Sequence, residues 1–373
     1  MKRIQKNKII NDLDRKMVFL VGPRQAGKTW LAKDIAKHYE QSVYLNYDAM
    51  EDRAIIQKTA WLDTTELLIL DELHKMPYWK NYLKGVFDTR PKNMRILVTG
   101  SARLEVYSHA GDSLAGRYYA HHLLPLSPSE LRQDAQPVEL KKLMERGGFP
   151  EPYLAEDVLE SERWRMQYIR SMLGTDVLEL ENINNISALK TIFELLRHRV
   201  GSPISYQSIA EDVGVSSTTV KSYIEILKAL YIVFTVYPYS KNIARSLLKQ
   251  PKVYFFDIGL INSDRGAQFE NLIALCLLKN NYAQRDYHAK NYKLRYLRTR
   301  DRREVDFAMV LDDRIECLIE AKCSDADIDS SLKYFCDKYK LPGIQVVSQL
   351  KHEYQQDNIK VRQATQYLKE LLL

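Results

Sequence analysis

The stretch GPRQAGKT, residues 22–29, follows directly on the apolar run Met17-Val18-Phe19-Leu20-Val21 and constrains this chain more than any other feature. Gly22, Gly27, Lys28 and Thr29 match the pattern G-x-x-x-x-G-K-[ST]. The glycines let backbone N–H groups approach phosphate oxygens, the lysine reaches the β- and γ-phosphates, and the hydroxyl holds Mg²⁺. The residues that follow, WLAKDIAKHY, have helical spacing, and a helix N-terminus adds partial positive charge beside the phosphates. Gly22, Pro23, Arg24, Gln25, Ala26, Gly27, Lys28, Thr29 and Trp30 form the expected nucleotide segment, with ATP and Mg²⁺ as its ligands.

Two further stretches supply the groups that such a loop needs. LLILDE, residues 67–72, reads as a fully buried parallel strand. Asp71 at its carboxyl end is placed to hold the Mg²⁺ shell, and Glu72 to take a proton from the attacking water. The bland alternative is a strand that ends in an acidic turn. RILVTGS, residues 95–101, reads as another buried strand, so that Ser101 or Thr99 faces the γ-phosphate. Arg117, in SLAGRYY, is a candidate arginine finger, for its own site or a neighbouring subunit's, or else a surface arginine. Strands over 17–21, 42–47, 67–71, 95–100 and 117–124 alternate with helices over 28–39, 50–61 and 78–87. This order predicts an α/β fold with a parallel sheet covered on both faces and the phosphate loop at the strands' carboxyl ends.

GPRQAGKT, LLILDELHKMPYWKNYLK, RILVTGSARL, SLAGRYY and GGFPEP occur here in an order that resembles a group of AAA-type P-loop ATPases carrying a C-terminal DUF4143 domain. The resemblance covers nearly the whole chain. It implies ATP binding through Gly22 to Thr29, Mg²⁺ and hydrolysis roles for Asp71 and Glu72, and a sensor role near Ser101. It supplies no substrate.

Beyond the core, residues 132–152 are polar and rich in turn signals, and 153–200 read as helices of a small lid. Residues 202–230 read as a helix-turn-helix, with Gly214 in the turn and Val220, Tyr223, Ile224 and Leu227 inward on the second helix. Strands in YIVFTVYPYS and KVYFFDIGL would make it winged. Such modules read DNA or contact proteins, and Lys221 and Lys228 are the second helix's only basic residues. The expected domains are 1–135, a P-loop core; 136–200, a helical lid; 201–255, a winged helix; and 256–373, a nuclease-like domain.

The C-terminal third carries a second set of acids. Asp306, in REVDF, leads into a strand, Asp312-Asp313 makes a turn, and IECLIEAK returns with Glu320 and Lys322 on one face. In a tight hairpin Asp306 falls opposite Ile319 or Glu320, depending on loop length. A preceding helix brings Glu270 to the border of its buried face. This resembles the PD-(D/E)xK nuclease pattern, with Val305 where the motif has proline, and implies a restriction-endonuclease-like α/β fold. In that pattern Glu270, Asp306 and Glu320 hold Mg²⁺ and Lys322 positions or activates water. The alternative is an amphipathic hairpin with solvated charges. Residues 285–303 carry eight Lys or Arg against two Asp, with tyrosines interleaved. That composition suits a nucleic-acid backbone, or else a charged edge strand.

A net charge of +7 permits an anionic partner without establishing one. Cys276, Cys317, Cys323 and Cys336 form no CxxC pair, which argues against a zinc site and a secreted disulfide framework. No apolar run is long enough to span a bilayer, so a cytoplasmic protein without membrane contact is expected. The function expected is an ATP-hydrolysing, DNA-associated protein whose nucleotide state controls a nuclease-like C-terminal domain, with homo-oligomers possible. Its rivals are a nucleotide-gated switch that binds nucleic acid or protein without cutting, and a protein remodeller.

Overall fold

Five apolar residues in a row, Met17–Val21, form strand β1 and are buried along its length. So is β3, Leu67–Asp71. Continuous burial marks a parallel sheet covered on both faces. β2 (Ser42–Asn46), β4 (Arg95–Thr99) and β5 (Tyr118–His122) complete it in the order β2-β3-β4-β1-β5, every pairing parallel. Alternate residues face opposite layers. Phe19, Leu68 and Leu70 pack with Trp79 and Leu83 of the helix Trp79–Thr89. Val18, Leu20, Ile69 and Leu97 pack with Leu31 and Ile35 of the helix Lys28–Ala36. The expected P-loop architecture is present, each strand within two residues of its predicted bounds.

The computed structural model describes residues 3–100, 114–131, 138–177, 183, 185–240, 250–299, 301–324 and 327–373. They fall into two compact units, Met1–Leu124 and Pro125–Leu373. The first contains one helix that the sequence reading passed over, Lys6–Leu13, which buries Ile9 and Leu13. It is held by Gln5 donating to the His122 carbonyl at 2.7 Å and Arg3 donating to the Leu124 carbonyl at 2.6 Å.

The second unit begins with helices, among them Val158–Ser171 and Ile186–His198. The helices Tyr206–Val213 and Ser217–Ala229 follow, joined at Gly214, whose φ of 74° is the left-handed conformation that ends the first helix. Val220, Tyr223, Ile224 and Leu227 are buried as expected. The strands expected to form a separate wing do not stand apart. β6 (Val233–Pro238) and β7 (Lys252–Phe255) pair antiparallel, and β6 also pairs parallel with β8 (Lys293–Arg298). They extend an eight-stranded sheet of order β12-β13-β11-β10-β9-β8-β6-β7. Its other strands are β9 (Glu304–Leu311), β10 (Arg314–Ser324), β11 (Gly343–Gln349), β12 (Tyr354–Gln356) and β13 (Ile359–Gln363). The long helix Arg265–His288 connects β7 to β8. Among the described residues no helix is long and apolar enough to cross a membrane.

Candidate functional site

At the carboxyl end of β1 the chain turns sharply. Gly22 has φ 144°, and a Cβ there would lie 2.2 Å from the Leu123 carbonyl oxygen, so only glycine fits. Gln25 and Gly27 also take positive φ, at 58° and 92°, and the helix Lys28–Ala36 starts directly after them. Pro23, Arg24 and Ala26 complete the loop, and Trp30 is half-exposed beside it. Lys28 is buried and donates to the carbonyls of Gly22 at 3.1 Å and Pro23 at 2.6 Å. Burial pushes its ammonium down to about 8, against the pull of Glu72 and Asp71.

Asp71 ends β3, and β4 separates it from β1. Its carboxylate accepts from Thr29 at 2.8 Å, Tyr44 at 2.7 Å and the Glu72 backbone N–H at 3.1 Å, and from the Thr99 hydroxyl at the end of β4. Glu72 has φ 55°, left-handed for a residue with a side chain. Such strain persists only where the surroundings enforce it. Here the Glu72 N–H is tied to the Thr99 carbonyl at 3.1 Å. Among the described residues Glu72 Oε2 is buried without a hydrogen-bond partner, 3.6 Å from His74 Nε2. Burial raises this carboxyl above its ordinary value, against the opposing effect of Lys28.

This donor set fits a magnesium nucleotide. A helix N-terminus and a glycine turn would take the phosphates, and the adjoining oxygens of Thr29 and Asp71 would hold Mg²⁺. Bound there, Mg²⁺ would neutralise charge on the phosphates.

Two other expected residues stand differently. Ser101 lies outside the described residues, and the polar group found between the loop and Asp71 is Thr99. Arg117 does not approach the phosphate loop of its own chain. It precedes β5 at the amino end of the sheet, where Met17 pairs with Tyr118, roughly 20 Å of strand from Gly22. Its guanidinium is bidentate to Asp88, at 2.9 and 3.0 Å.

In the second unit the expected hairpin is present. Asp312 and Asp313 form a two-residue turn with φ 47° and 60°, and Leu311 pairs with Arg314. Carried on unbroken, that register would set Asp306 opposite Ile319. A bulge between Ile315 and Cys317 shifts it by one, so that Ile319 pairs with Phe307 and Asp306 lies opposite Glu320. The two strands bind each other through these side chains. Asp306 N–H donates to Glu320 Oε2 at 3.2 Å, and Ala321 N–H to Asp306 Oδ2 at 3.1 Å. Lys322 bridges Glu320 at 2.9 Å and Asp329 at 3.0 Å. Glu270 arrives from the helix Arg265–His288 beside Gly201, where a Cβ would lie 2.8 Å from its Oε2. Burial, then the charge of Asp306, pushes the carboxyls of Glu270 and Glu320 upward.

Glu270, Asp306 and Glu320, the acids expected to hold a metal ion, lie against the chain's own ammonium groups. Lys252 of β7 places its buried ammonium 2.8 Å from Glu304, 3.2 Å from Glu270 and 3.4 Å from Asp306. Among the described residues no group of three His, Cys, Asp or Glu is arranged to hold a metal ion. Glu270 and Asp306 converge with Glu304 on the Lys252 ammonium, and Glu320 is paired with Lys322. The basic strip runs along β8, next to β9, with Arg298 paired to Glu304 at 3.1 Å and Lys293 to Asp313 at 3.3 Å.

Residues 14–132 match the family model described as an AAA domain. The chain carries an AAA domain. Residues 138–270 match a domain of unknown function, DUF8612, and residues 265–367 match another, DUF4143. Uncharacterised proteins of Mycobacterium bovis and Mycobacterium tuberculosis are each 27% identical over 66% of this chain. The chain spans 55% of the length of either relative. An uncharacterised protein of Methanocaldococcus jannaschii is 24% identical over 79% of this chain and 76% of its own. Among solved structures, a Walker-type ATPase of Pyrococcus abyssi aligns at 12% identity over 69% of this chain and 93% of that one, with a TM-score of 0.45.

Sequence reasoning missed several residues that complete these sites. In the AAA domain, Tyr44 lies outside the phosphate-loop and acid motifs, and His74, inside the stretch LLILDELHKM, had no role assigned. In the second unit, Tyr254 donates to Glu270 at 2.7 Å, and Lys252 precedes it on the same strand. The signal for Lys252 was a lysine beginning an otherwise apolar strand, KVYFF, where burial demands a partner.

Proposed function

We propose that this chain binds and hydrolyses ATP with Mg²⁺, and that its nucleotide state governs a C-terminal domain that engages DNA. The observation that carries the ATPase reading is the Asp71 carboxylate holding the Thr29 hydroxyl at 2.8 Å beside a Glu72 oxygen with no hydrogen-bond partner among the described residues. In this reading Gly22 to Gly27 cradle the phosphates and Lys28 leaves the loop carbonyls for the β- and γ-oxygens. Thr99 orients Asp71. Glu72 accepts the proton of the attacking water, and its raised affinity for protons suits that task.

The DNA reading is supported by the basic, tyrosine-bearing strand β8 beside the acid-bearing strand β9. One observation favours binding without cleavage: the Lys252 ammonium sits among the acids that a nuclease would give to a metal. The reading is tested by the ATPase rate with and without single-stranded, duplex and branched DNA, at fixed salt. Stimulation by at least one DNA form is expected. Stimulation by a client protein with indifference to every DNA would replace the reading with a protein remodeller.

A further inference from the structure

The second carboxylate cluster is closed by the chain's own groups. Asp306 gives one oxygen to Lys252 and the other to the Ala321 N–H. Glu320 gives one to Lys322 and the other to the Asp306 N–H. Glu270 Oε1 accepts from Tyr254 and lies against Lys252. Glu304 divides its oxygens between Lys252 and Arg298. The Lys252 side chain is only 1% exposed and stands within 3.4 Å of three carboxylates that come from a helix and from β9. A buried ammonium so placed is a compact point charge held among three carboxylates.

We propose that Lys252 is the built-in cation of this cluster, taking the place a divalent ion would occupy, so that metal enters only when the ammonium leaves. This rests on the C-terminal part of the functional reading only for the cluster's location; DNA engagement is measured separately. Coulomb's law supplies the reason. One ammonium among Glu270, Glu304 and Asp306 offsets their mutual repulsion, and a metal ion at the same point would be repelled by it. The strand position is also suited. β7 lies at the end of the sheet opposite β12, paired with β6 on one side and bridged from Lys252 to Pro203 on the other, so Lys252 reaches the cluster from the border of the sheet.

The test is Mn²⁺ binding by the full chain without nucleotide, followed by electron paramagnetic resonance and by the unfolding temperature. Wild type, Lys252→Gln, Lys252→Arg, Asp306→Asn and Lys252→Gln with Asp306→Asn are compared. Wild type and Lys252→Arg are expected to show no Mn²⁺ equivalent at this cluster. Lys252→Gln is expected to lose thermal stability, to gain one equivalent at least about tenfold tighter than wild type, and to recover stability as Mn²⁺ binds. Asp306→Asn in that background should abolish the gain. If Lys252→Gln is unfolded without metal, Mn²⁺ should restore its fold, and failure to do so overturns the proposal. Mn²⁺ bound by wild type and lost in Asp306→Asn overturns it, as does a folded Lys252→Gln that gains no ion. DNA binding measured on the same proteins by fluorescence anisotropy separates this result from the fate of the DNA reading, which fails if wild type binds no DNA.

Discussion

The Thr29 hydroxyl donates a 2.8 Å hydrogen bond to the Asp71 carboxylate across 42 residues of sequence. This contact joins the phosphate loop to the end of β3 and, in the proposed function, marks where a magnesium ion and the terminal phosphates would bind.

Lys28 should make nucleotide affinity depend on pH. Burial pushes its ammonium down to about 8, whereas phosphate charge favours the protonated form. Below pH 8 the free protein already holds the proton. Above it, binding must take one up, so affinity should fall by up to about tenfold per pH unit. Calorimetry in two buffers of different ionisation enthalpy at pH 7 and pH 9 reads the proton directly. Lys28→Met should weaken binding about tenfold or more and lose the pH dependence, since a charge-assisted hydrogen bond is removed. Affinity in the wild type that is flat across this range would contradict the assignment.

Arg117 is engaged with Asp88 at the amino end of the sheet. Arg117→Ala should leave hydrolysis within about twofold of wild type, because an exposed ion pair contributes little. Mixing it with Lys28→Ala should add nothing to its own activity. Loss of hydrolysis in Arg117→Ala, partly recovered on mixing with Lys28→Ala, would show that Arg117 leaves Asp88 to act across a subunit boundary.

Gly147 has φ 75° and ψ 178°, and a Cβ there would lie 1.9 Å from Asp257 Oδ1. That carboxylate is buried and accepts from Arg165 at 3.0 Å. Gly147→Ala is expected to cost at least about 2 kcal/mol, from backbone strain and displacement of the buried pair. Thermal unfolding checks this, and an unchanged midpoint would show that the pair relocates freely.

How far these sites could be read in advance follows from how local each constraint is. The phosphate loop, Asp71 and Glu72 were legible because each lies at the end of a buried strand, where run length and a following glycine or acid mark the boundary. The helix Lys6–Leu13 was not, because its basic face masked the burial of Ile9 and Leu13. The pairing of Asp306 was left open between Ile319 and Glu320 because a bulge between Ile315 and Cys317 decides it, and no local pattern announces that bulge. Lys252 was missed for a topological reason. It lies 54 residues from Asp306, on a strand that read as part of a wing and instead extends the large sheet.

The central claim is that Glu72 is the proton acceptor of an ATPase built on Thr29 and Asp71. Single-turnover ATP hydrolysis by wild type and Glu72→Gln, with nucleotide affinity measured in parallel, tests it most directly. Glu72→Gln is expected to bind ATP within about twofold of wild type and to hydrolyse it about a hundredfold more slowly or worse, since the amide accepts no proton. Hydrolysis by Glu72→Gln at the wild-type rate, or none by wild type under any condition that supports binding, would contradict the account.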